Sequence, residues 1–206
     1  MIDIVVKPAH ELLKFEVEGM AQAMSQSYYQ SQMALNFHDG LNQNVKQLCA
    51  YAQNGEGIIG ACVVKEYNGR NAHPICADYP NIYFKHMAIL PEHQSKGVGA
   101  GLVKEVIKEA FDYFNTHIIW SGSSELGALK FYNRLGAWFS NSSIESANPQ
   151  ISSEENRDCL KVMMQGSQLN KWRLPQDIMF AWARDDSKAH AYLTSNDFQM
   201  RGLDSK

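Results

Sequence analysis

The sequence predicts a mixed α/β fold, in which helices flank one sheet, and two observations support it. In the centre of the chain, short apolar runs typical of buried strands alternate with stretches of helical periodicity. Before them, two strand-like segments meet at "QNGEG", whose Asn-Gly pair is a strong hairpin signal. A hairpin makes neighbouring strands antiparallel, so we expect a sheet of mixed strand directions.

The first elements in chain order are a strand and a helix. "IDIVVKP" reads as a short strand that Pro8 closes, and residues 10–37 are rich in helix-forming side chains. The hairpin comes next, and the turn-rich "RNAHPICADYPN" after it should be a loop. The nearly continuous apolar run "IYFKHMAIL" then predicts a buried strand that ends at Pro91.

An amphipathic helix follows, with apolar residues at helical spacing on one face and charged residues on the other. "HIIWSG" predicts another buried strand, and "SSELGALKFYNRLG" a helix that starts at its serines and is capped by Gly136. "AWF" begins the next strand, the polar residues 140–158 predict a loop, and "CLKVMMQG" is again strand-like. The apolar face of the amphipathic helix after Pro91 consists of Val98, Leu102, Val103, Val106, Ile107, Ala110, Phe111 and Phe114.

Composition excludes several classes of protein. The 206 residues carry a net charge of −3 and are 45% hydrophobic, which suits a soluble globular chain without the basic surface that nucleic acid requires. No apolar run approaches the roughly 20 residues of a membrane span, and the first residues lack the pattern of a secretory signal. We therefore expect a cytoplasmic protein with no nucleic-acid or membrane partner. Scattered cysteines without C-x-x-C spacing argue against a metal site or a disulfide framework: Cys49, Cys62, Cys76 and Cys159.

A glycine-rich segment, "LPEHQSKGVGAGLVKEV" at residues 90–106, opens the amphipathic helix. Each glycine costs roughly 1 kcal/mol relative to alanine inside a helix, so three in the first turns need another explanation. A strand followed by a Gly-rich helix start is a recurrent phosphate site, because the first N–H groups of a helix have no internal partner. The segment lacks a Walker A loop and the G-x-G-x-x-G spacing of dinucleotide sites, but "QSKGVG" fits Q/R-x-x-G-x-G/A.

Two motifs together resemble the GNAT superfamily of acyl-CoA-dependent N-acyltransferases. "FKHMAILPEHQSKGVGAGLVKEVIKEA" is similar to the family's central strand, pyrophosphate loop and helix, and "ELGALKFYNRLGAWF" to its A-x-x-F-Y-x-x-x-G-F motif. The match covers residues 82–139, and the order of elements extends it to residues 1–165. The resemblance implies a GNAT-like, mostly antiparallel central sheet flanked by helices. Residues 166–206 would then be a C-terminal extension that packs on the core or on a dimer partner.

The resemblance also implies which residues bind acetyl-CoA. The backbone of Met87, Ala88 and Ile89 would pair with the pantetheine arm like an added strand. Gln94 stands where arginine is common, so Lys96 either supplies the missing charge or is an ordinary solvated lysine. The backbone N–H groups implied to hold the pyrophosphate are those of Gln94, Ser95, Lys96, Gly97, Val98, Gly99 and Ala100.

The same resemblance assigns the chemistry of the leaving group. A backbone N–H of the central strand would polarise the thioester carbonyl while an amine attacks directly. Tyr132 matches the tyrosine that protonates the departing thiolate, and its position also suits a core aromatic on the inner face of its helix. Glu125 stands where many relatives carry an asparagine that contacts the pantetheine, so this sequence departs from the family there.

The sequence leaves open which group deprotonates the amine. Uniform alternation along the central strand places Tyr83 and Lys85 on one face, which corresponds to the acceptor side in relatives. It places His86 on the opposite face with Phe84, so His86 would point away from the acceptor unless a β-bulge re-aims it. His86 has a suitable intrinsic pKa and is the candidate base, against the alternative of a hydrogen-bonded structural histidine. Further candidates are a water chain, Asp78, His73 and Glu66.

The C-terminal tail shows a weak internal similarity. Residues 178–198 repeat the pattern of residues 118–138 at an offset of 60, with Tyr192 matching Tyr132. A chance likeness of two strand–helix–strand units explains the pattern as well. No second glycine motif precedes the tail, so it is not a complete second acyltransferase.

We therefore expect an enzyme that transfers an acetyl group from acetyl-CoA to a primary amine, small or peptidic, by direct attack in a ternary complex. The alternative is an acyl-CoA-binding or regulatory module that has lost efficient chemistry. No metal is expected, and a homodimer remains open. The acceptor site should be built from residues 20–40, 68–81 and 140–158. Acidic residues there either attract a cationic amine or are solvated: Asp39, Asp78, Glu145, Glu154 and Glu155.

Overall fold

The computed structural model describes residues 2–26, 45–66, 81–147 and 173–200. The chain divides into two compact units, Met1–Ile119 and Trp120–Lys206. Both units combine strands with helices, and most strand pairing is antiparallel. The predicted mixed α/β fold, a mostly antiparallel sheet with flanking helices, is confirmed. None of the helices in the described ranges is long and apolar enough to span a membrane.

Four antiparallel strands lie side by side in the first unit, in the order in which they occur along the chain. The predicted hairpin is confirmed, since only Gly55 and Glu56 separate its two strands. The Asn54 side chain closes this turn by accepting the N–H of Glu56 at 2.8 Å. The strands are β1 (Asp3–Pro8), β2 (Gln47–Asn54), β3 (Gly57–Glu66) and β4 (Ile82–Ile89).

Helix α1 (Lys14–Ser25) covers one face of these strands. It lies within the predicted helical segment 10–37, but Ala9–Glu11 forms a separate 3-10 turn before it. Residues 27–37 lie outside the described residues. The apolar cluster beneath α1 consists of Met20, Met24, Cys49, Tyr51, Ala61, Val63 and Ala88.

Helix α2 (Val98–Tyr113) covers the opposite face. A Cβ built at Gly60 of β3 would lie 3.3 Å from the Leu102 side chain of α2. The next residue, Ala61, belongs to the cluster beneath α1, and consecutive strand positions point to opposite faces. The predicted apolar face of α2 is confirmed by its buried residues, Val98, Leu102, Val103, Val106, Ile107 and Ala110.

A buried carboxylate ties the start of α1 to the sheet. Glu16 is 1% exposed and accepts hydrogen bonds from Lys7 Nζ of β1 at 2.7 Å and from the Tyr51 hydroxyl of β2. It also accepts the N–H of Leu13 at 2.7 Å, which caps the helix. Burial raises the pKa of this carboxyl, but the hydrogen bonds and the Lys7 charge outweigh burial and hold the pKa below its ordinary value.

The second unit is a small sheet with an aromatic core. Its elements are β5 (Ile118–Glu125, which begins in the first unit), α3 (Leu126–Arg134), β6 (Trp138–Ser140), α4 (Asn141–Ala147), β7 (Arg173–Ala183), α5 (Ser187–Ser195) and β8 (Phe198–Met200). The strands lie in the order β5-β7-β6-β8, and β6 is antiparallel to both of its neighbours. Large side chains at most 1% exposed fill the core: Trp120, Phe139, Phe180 and Phe198.

The tail forms the strand–helix–strand unit that the internal similarity suggested, namely β7, α5 and β8. Asp186 accepts the N–H of Ala189 at 2.8 Å and caps α5. Since β7 and β8 both pair with β6, the tail belongs to the sheet of the second unit. The expected domain boundary at residue 165 and the strand predicted at "CLKVMMQG" lie outside the described residues.

The start of α3 differs from the prediction. Ser123 and Ser124 continue β5, and Ser123 Oγ accepts the N–H of Glu125 at 3.1 Å, so the serines do not begin the helix. The helix begins at Leu126 instead. Gly136 follows its end with a φ of +79°, which confirms the predicted glycine cap.

The loop expected at residues 140–158 begins with helix α4 instead. Ser140 Oγ accepts the N–H of Ser143 at 3.2 Å, and Asn141 donates to Asp197 Oδ1 at 2.7 Å. Polar residues that suggested a loop therefore cap and anchor a short helix. Residues 148–158 lie outside the described residues.

Replacing the buried carboxylate should destabilise the first unit. In Glu16→Gln the half-buried Lys7 ammonium loses its counter-ion, so we expect a loss of about 2–3 kcal/mol at pH 7. Urea unfolding followed by circular dichroism measures it. The matched control is Glu18→Gln in the same helix, whose exposed carboxylate is 3.7 Å from Lys14 and should contribute less than about 0.5 kcal/mol. Equal unfolding free energies for the two variants would contradict the assignment.

Candidate functional site

Strand β4 carries a β-bulge at Lys85. Val63 of β3 faces His86, whereas the next residue of β3, Val64, faces Phe84. Lys85 is therefore the extra residue of the bulge.

The bulge reverses the expected alternation along β4. The prediction that His86 shares a face with Phe84 is wrong, because their partners in β3 are consecutive and point to opposite faces. Val63, the partner of His86, belongs to the cluster beneath α1, so His86 lies on that face. Tyr83 pairs with Lys65, which is two residues from Val63 and shares its face. One extra residue thus brings Tyr83 and His86 to the same face.

The positive charges of two lysines act on His86. His86 is half-buried, and burial, followed by the charges of Lys65 and Lys85, lowers its pKa to about 4. Burial also lowers the pKa of Lys65. The Lys85 ammonium lies 5.2 Å from the centroid of the Tyr83 ring, a cation–π distance that holds it near the same face. The imidazole of His86 is therefore neutral at neutral pH and able to accept a proton.

Lys65 was missed by the sequence reasoning. It follows the apolar run of β3, and a charged residue at that position is typical of the end of a strand. Only the pairing register of β3 with β4 places it opposite Tyr83. A register prediction for the two strands was the one signal that could have found it.

The end of β4 contains the residues that the resemblance assigned to the pantetheine. Ala88 shares the α1 face with His86, and Met87 and Ile89 share the α2 face with Phe84. Uniform alternation would place Met87 and Ile89 on the same face as Tyr83, so the bulge changes the face of these two residues as well. Their implied role uses the backbone and does not depend on this face.

The loop after β4 is bound to the end of the strand by the Gln94 side chain. Pro91–His93 forms one 3-10 turn. The Gln94 side chain then folds back, and its Nε2 donates to the carbonyl of Ile89 at 3.0 Å. The backbone N–H of Gln94 donates to the Pro91 carbonyl at 3.3 Å. The position where relatives often carry arginine thus stabilises the junction of strand and loop here.

The backbone then turns sharply into α2. Ser95 has a φ of +60°, and Gly97, the N-cap, has a φ of +83°, a conformation that glycine adopts without strain. The first hydrogen bond of the helix runs from the Gly101 N–H to the Gly97 carbonyl at 3.0 Å. Lys96 is exposed beside this turn. The N–H groups without an acceptor inside the helix are those of Val98, Gly99 and Ala100.

Gly101 lies on the side of α2 that packs against β1. A Cβ at this position would come within 2.8 Å of Cδ1 of Ile4 in β1. A larger residue here would require this terminal methyl group to shift. The surface depression beside β1 and α2, about 570 Å³, contains none of the predicted site residues.

In the second unit, Tyr132 lies in an aromatic cluster. It is 9% exposed, stacks on Phe180 with ring centroids 4.8 Å apart, and meets the Trp182 ring edge-on at 5.5 Å. These contacts hold the Tyr132 ring in one position. They are consistent with both roles considered for Tyr132, a positioned general acid and a core aromatic residue. Glu125 is half-buried, ends β5 and is the N-cap of α3, where its charge suits the helix dipole.

Much of the expected acceptor site lies outside the described residues, including Asp39, His73, Asp78, Glu154 and Glu155. Glu66, an outside candidate for the base, pairs with Ile82 and lies on the α2 face, opposite to His86. Among the described residues, His86 is therefore the candidate base nearest the expected acceptor side.

Solved structures share this fold at low sequence identity. An acyl-CoA N-acyltransferase from Pseudomonas aeruginosa has a TM-score of 0.55 and 12% identity, over 89% of this chain and 100% of its own. The ribosomal-protein-S18-alanine N-acetyltransferase from Escherichia coli has a TM-score of 0.54 and 14% identity, over 89% and 94%. A GNAT family acetyltransferase from Elizabethkingia anophelis, with acetyl-CoA bound, has a TM-score of 0.51 and 15% identity, over 89% and 98%.

The comparison with curated protein sequences finds no match. At the identities above, the solved structures support the fold alone. The family model described as acetyltransferase (GNAT) family matches residues 14–137, which is more than half of the chain. It covers α1, the bulged strand, the glycine-rich helix start and all but the last two residues of the second motif. The chain therefore belongs to the GNAT acetyltransferase family.

Proposed function

We propose that the protein transfers an acetyl group from acetyl-CoA to a primary amine by direct attack in a ternary complex. The observation that carries this proposal is the start of α2, which follows β4 through one short loop. Gly97 turns the backbone there, and three N–H groups of the first helical turn have no acceptor in the helix. Such a site favours an anionic group such as a pyrophosphate.

The loop residues have distinct roles in this proposal. The N–H groups of Val98, Gly99 and Ala100 bind pyrophosphate oxygens, and the exposed Lys96 adds a charge beside them. Gln94 positions the loop through its bond to the Ile89 carbonyl rather than by contact with the cofactor. The backbone from Met87 to Ile89 lies along the pantetheine arm.

Acetyl-CoA supplies a thioester whose carbonyl carbon an amine can attack. A bond forms between the amine nitrogen and that carbon, the carbon–sulfur bond breaks, and the products are an amide and the CoA thiol. His86 accepts the proton that the amine loses and passes it to solvent, for which its half-buried position leaves a path. Tyr132 donates a proton to the departing thiolate, because a phenol held in a fixed ring position is a competent acid for it.

Removing the flexibility of the helix start should weaken acetyl-CoA binding. Gly97→Ala places a Cβ on a residue with a φ of +83°, so the loop either strains or re-aims its N–H groups. We expect the Kd for acetyl-CoA, measured by calorimetry, to rise about tenfold, the equivalent of about 1–2 kcal/mol. Gly55→Ala, in the hairpin turn with open space around it, is the control and should bind normally. An unchanged Kd for Gly97→Ala would argue against this phosphate site.

Removing the hydroxyl of Tyr132 should slow turnover without weakening cofactor binding. For Tyr132→Phe we expect kcat to fall on the order of 10²-fold, because the thiolate then leaves without its acid. Release of the CoA thiol, measured across a panel of amines, gives kcat, and calorimetry gives the Kd for acetyl-CoA. The control is Tyr192→Phe, the matching position of α5. Full activity of Tyr132→Phe would leave Tyr132 as a core aromatic only. If the wild type binds acetyl-CoA and acetylates no amine, the alternative of a binding module is favoured.

His86 should make the fold sensitive to acid. Its pKa is about 4 in the folded chain and near 6.5 in the unfolded chain, so the unfolded chain binds the proton first as the pH falls. Stability from this source is complete above pH 6.5 and is lost toward pH 4. Between pH 7 and pH 4.5, His86→Gln should lose about 2 kcal/mol less stability than the wild type in urea unfolding. His117→Gln, an exposed histidine, is the control, and parallel pH curves for wild type and His86→Gln would refute the assignment.

A further inference from the structure

Four side chains form a basic face at the junction of β3 and β4: Lys65, Tyr83, Lys85 and His86. Register places Lys65 opposite Tyr83, and the bulge turns His86 to the same face. The Lys85 ammonium, 5.2 Å from the centroid of the Tyr83 ring, lies near this face as well. The ammonium groups of Lys65 and Lys85 thus lie on the same face as the candidate base, and the sequence predicted a binding role for neither of them.

Among the described residues, the charges that act on His86 are those of Lys65 and Lys85, and both are positive. Burial is the largest cause of its lowered pKa, and the charges of Lys65 and Lys85 add to it by favouring the neutral imidazole. Glu66, the acidic neighbour of Lys65 in sequence, pairs with Ile82 and lies on the other side of the sheet. Glu16 on α1 is already bound by Lys7 and by Tyr51. A second amine cation brought to this face would meet repulsion.

The cofactor does not account for the basic face. Lys85 precedes Ile89 by four residues along β4, which corresponds to about 13 Å of extended chain. The loop that suits a pyrophosphate lies beyond Ile89, at the far end of the strand. The two lysines are therefore on the part of β4 that leads away from the phosphates, where the proposed function has the acceptor.

We infer that the acceptor is an amine that carries a carboxylate close to its nitrogen, as an α-amino acid does, and that Lys65 and Lys85 bind this carboxylate. The inference rests on the proposed function and narrows its substrate class. Carboxylate binding fixes the amine beside His86, and charge-assisted hydrogen bonds to ammonium groups are among the strong ones. The same charges disfavour polyamines and aminoglycosides, which bring several cations.

The test compares acceptors that differ only in the carboxylate. Release of the CoA thiol from acetyl-CoA is measured with alanine, leucine, phenylalanine and serine, each beside its own α-amide, and with spermidine. We expect kcat/KM for the preferred amino acid to exceed that of its amide at least tenfold, with spermidine poorest. Lys65→Gln and Lys85→Gln should each lower this ratio by raising the KM for the amino acid. Lys104→Gln, an exposed lysine of α2, is the matched control and should leave the ratio unchanged.

Two results would overturn the inference: an amide or spermidine that is acetylated as well as the amino acid, or a ratio that survives both lysine variants. If acetyl-CoA binds and any amine reacts, the proposed function stands whichever acceptor is preferred. If no amine reacts, the proposed function is refuted independently of this inference. Calorimetry with the amino acids and their amides then still tests whether the protein binds the carboxylate. Binding of an amino acid, lost in Lys65→Gln and absent for its amide, supports the inference, and equal binding refutes it.

Discussion

The extra residue in β4 is the constraint on which the candidate site depends. Without the bulge at Lys85, regular pairing would turn His86 toward α2, onto the face that Phe84 occupies. With it, the strand presents Tyr83 and His86 to one side, while Phe84 and Met87 remain on the other. The same strand therefore contributes to the apolar packing beneath both helices and still carries a polar face. A bulge next to a site commonly serves to re-aim a side chain in this way.

A second constraint is the close packing of α2 against the strands at two glycines, and it positions the helix start where pyrophosphate binding is proposed. A Cβ at Gly101 would approach Ile4 of β1 to 2.8 Å, and one at Gly60 would come within 3.1 Å of the Ala88 carbonyl. These two glycines let α2 and the strands lie close together. The start of α2 is thereby held at the end of β4. The two glycines Gly97 and Gly101 therefore have different roles. Gly97 provides the turn, and Gly101 provides the packing.

Periodicity and turn chemistry were sufficient to predict most elements of the first unit. The hairpin at Gly55, the buried strand β4 and the amphipathic helix α2 all follow from local patterns that the tertiary structure keeps. The bulge was not predictable in the same way, because a period of two assumes one residue for each partner. Helix α4 was missed because its capping residues are polar, and polarity alone also describes a loop. The roles of Tyr132 and His86 stay predictions from the family resemblance.

The net charge of −3 describes the whole chain, whereas chemistry responds to the local field. Burial, together with the charges of Lys65 and Lys85, lowers the pKa of His86 to about 4, which makes the imidazole a weak base for an alkylammonium. A cationic amine bound beside the same two lysines meets their repulsion. A carboxylate on the acceptor offsets the repulsion on binding and leaves the amine beside a neutral histidine. The same two lysines thus contribute to the weak basicity of His86 and support the anionic acceptor proposed above.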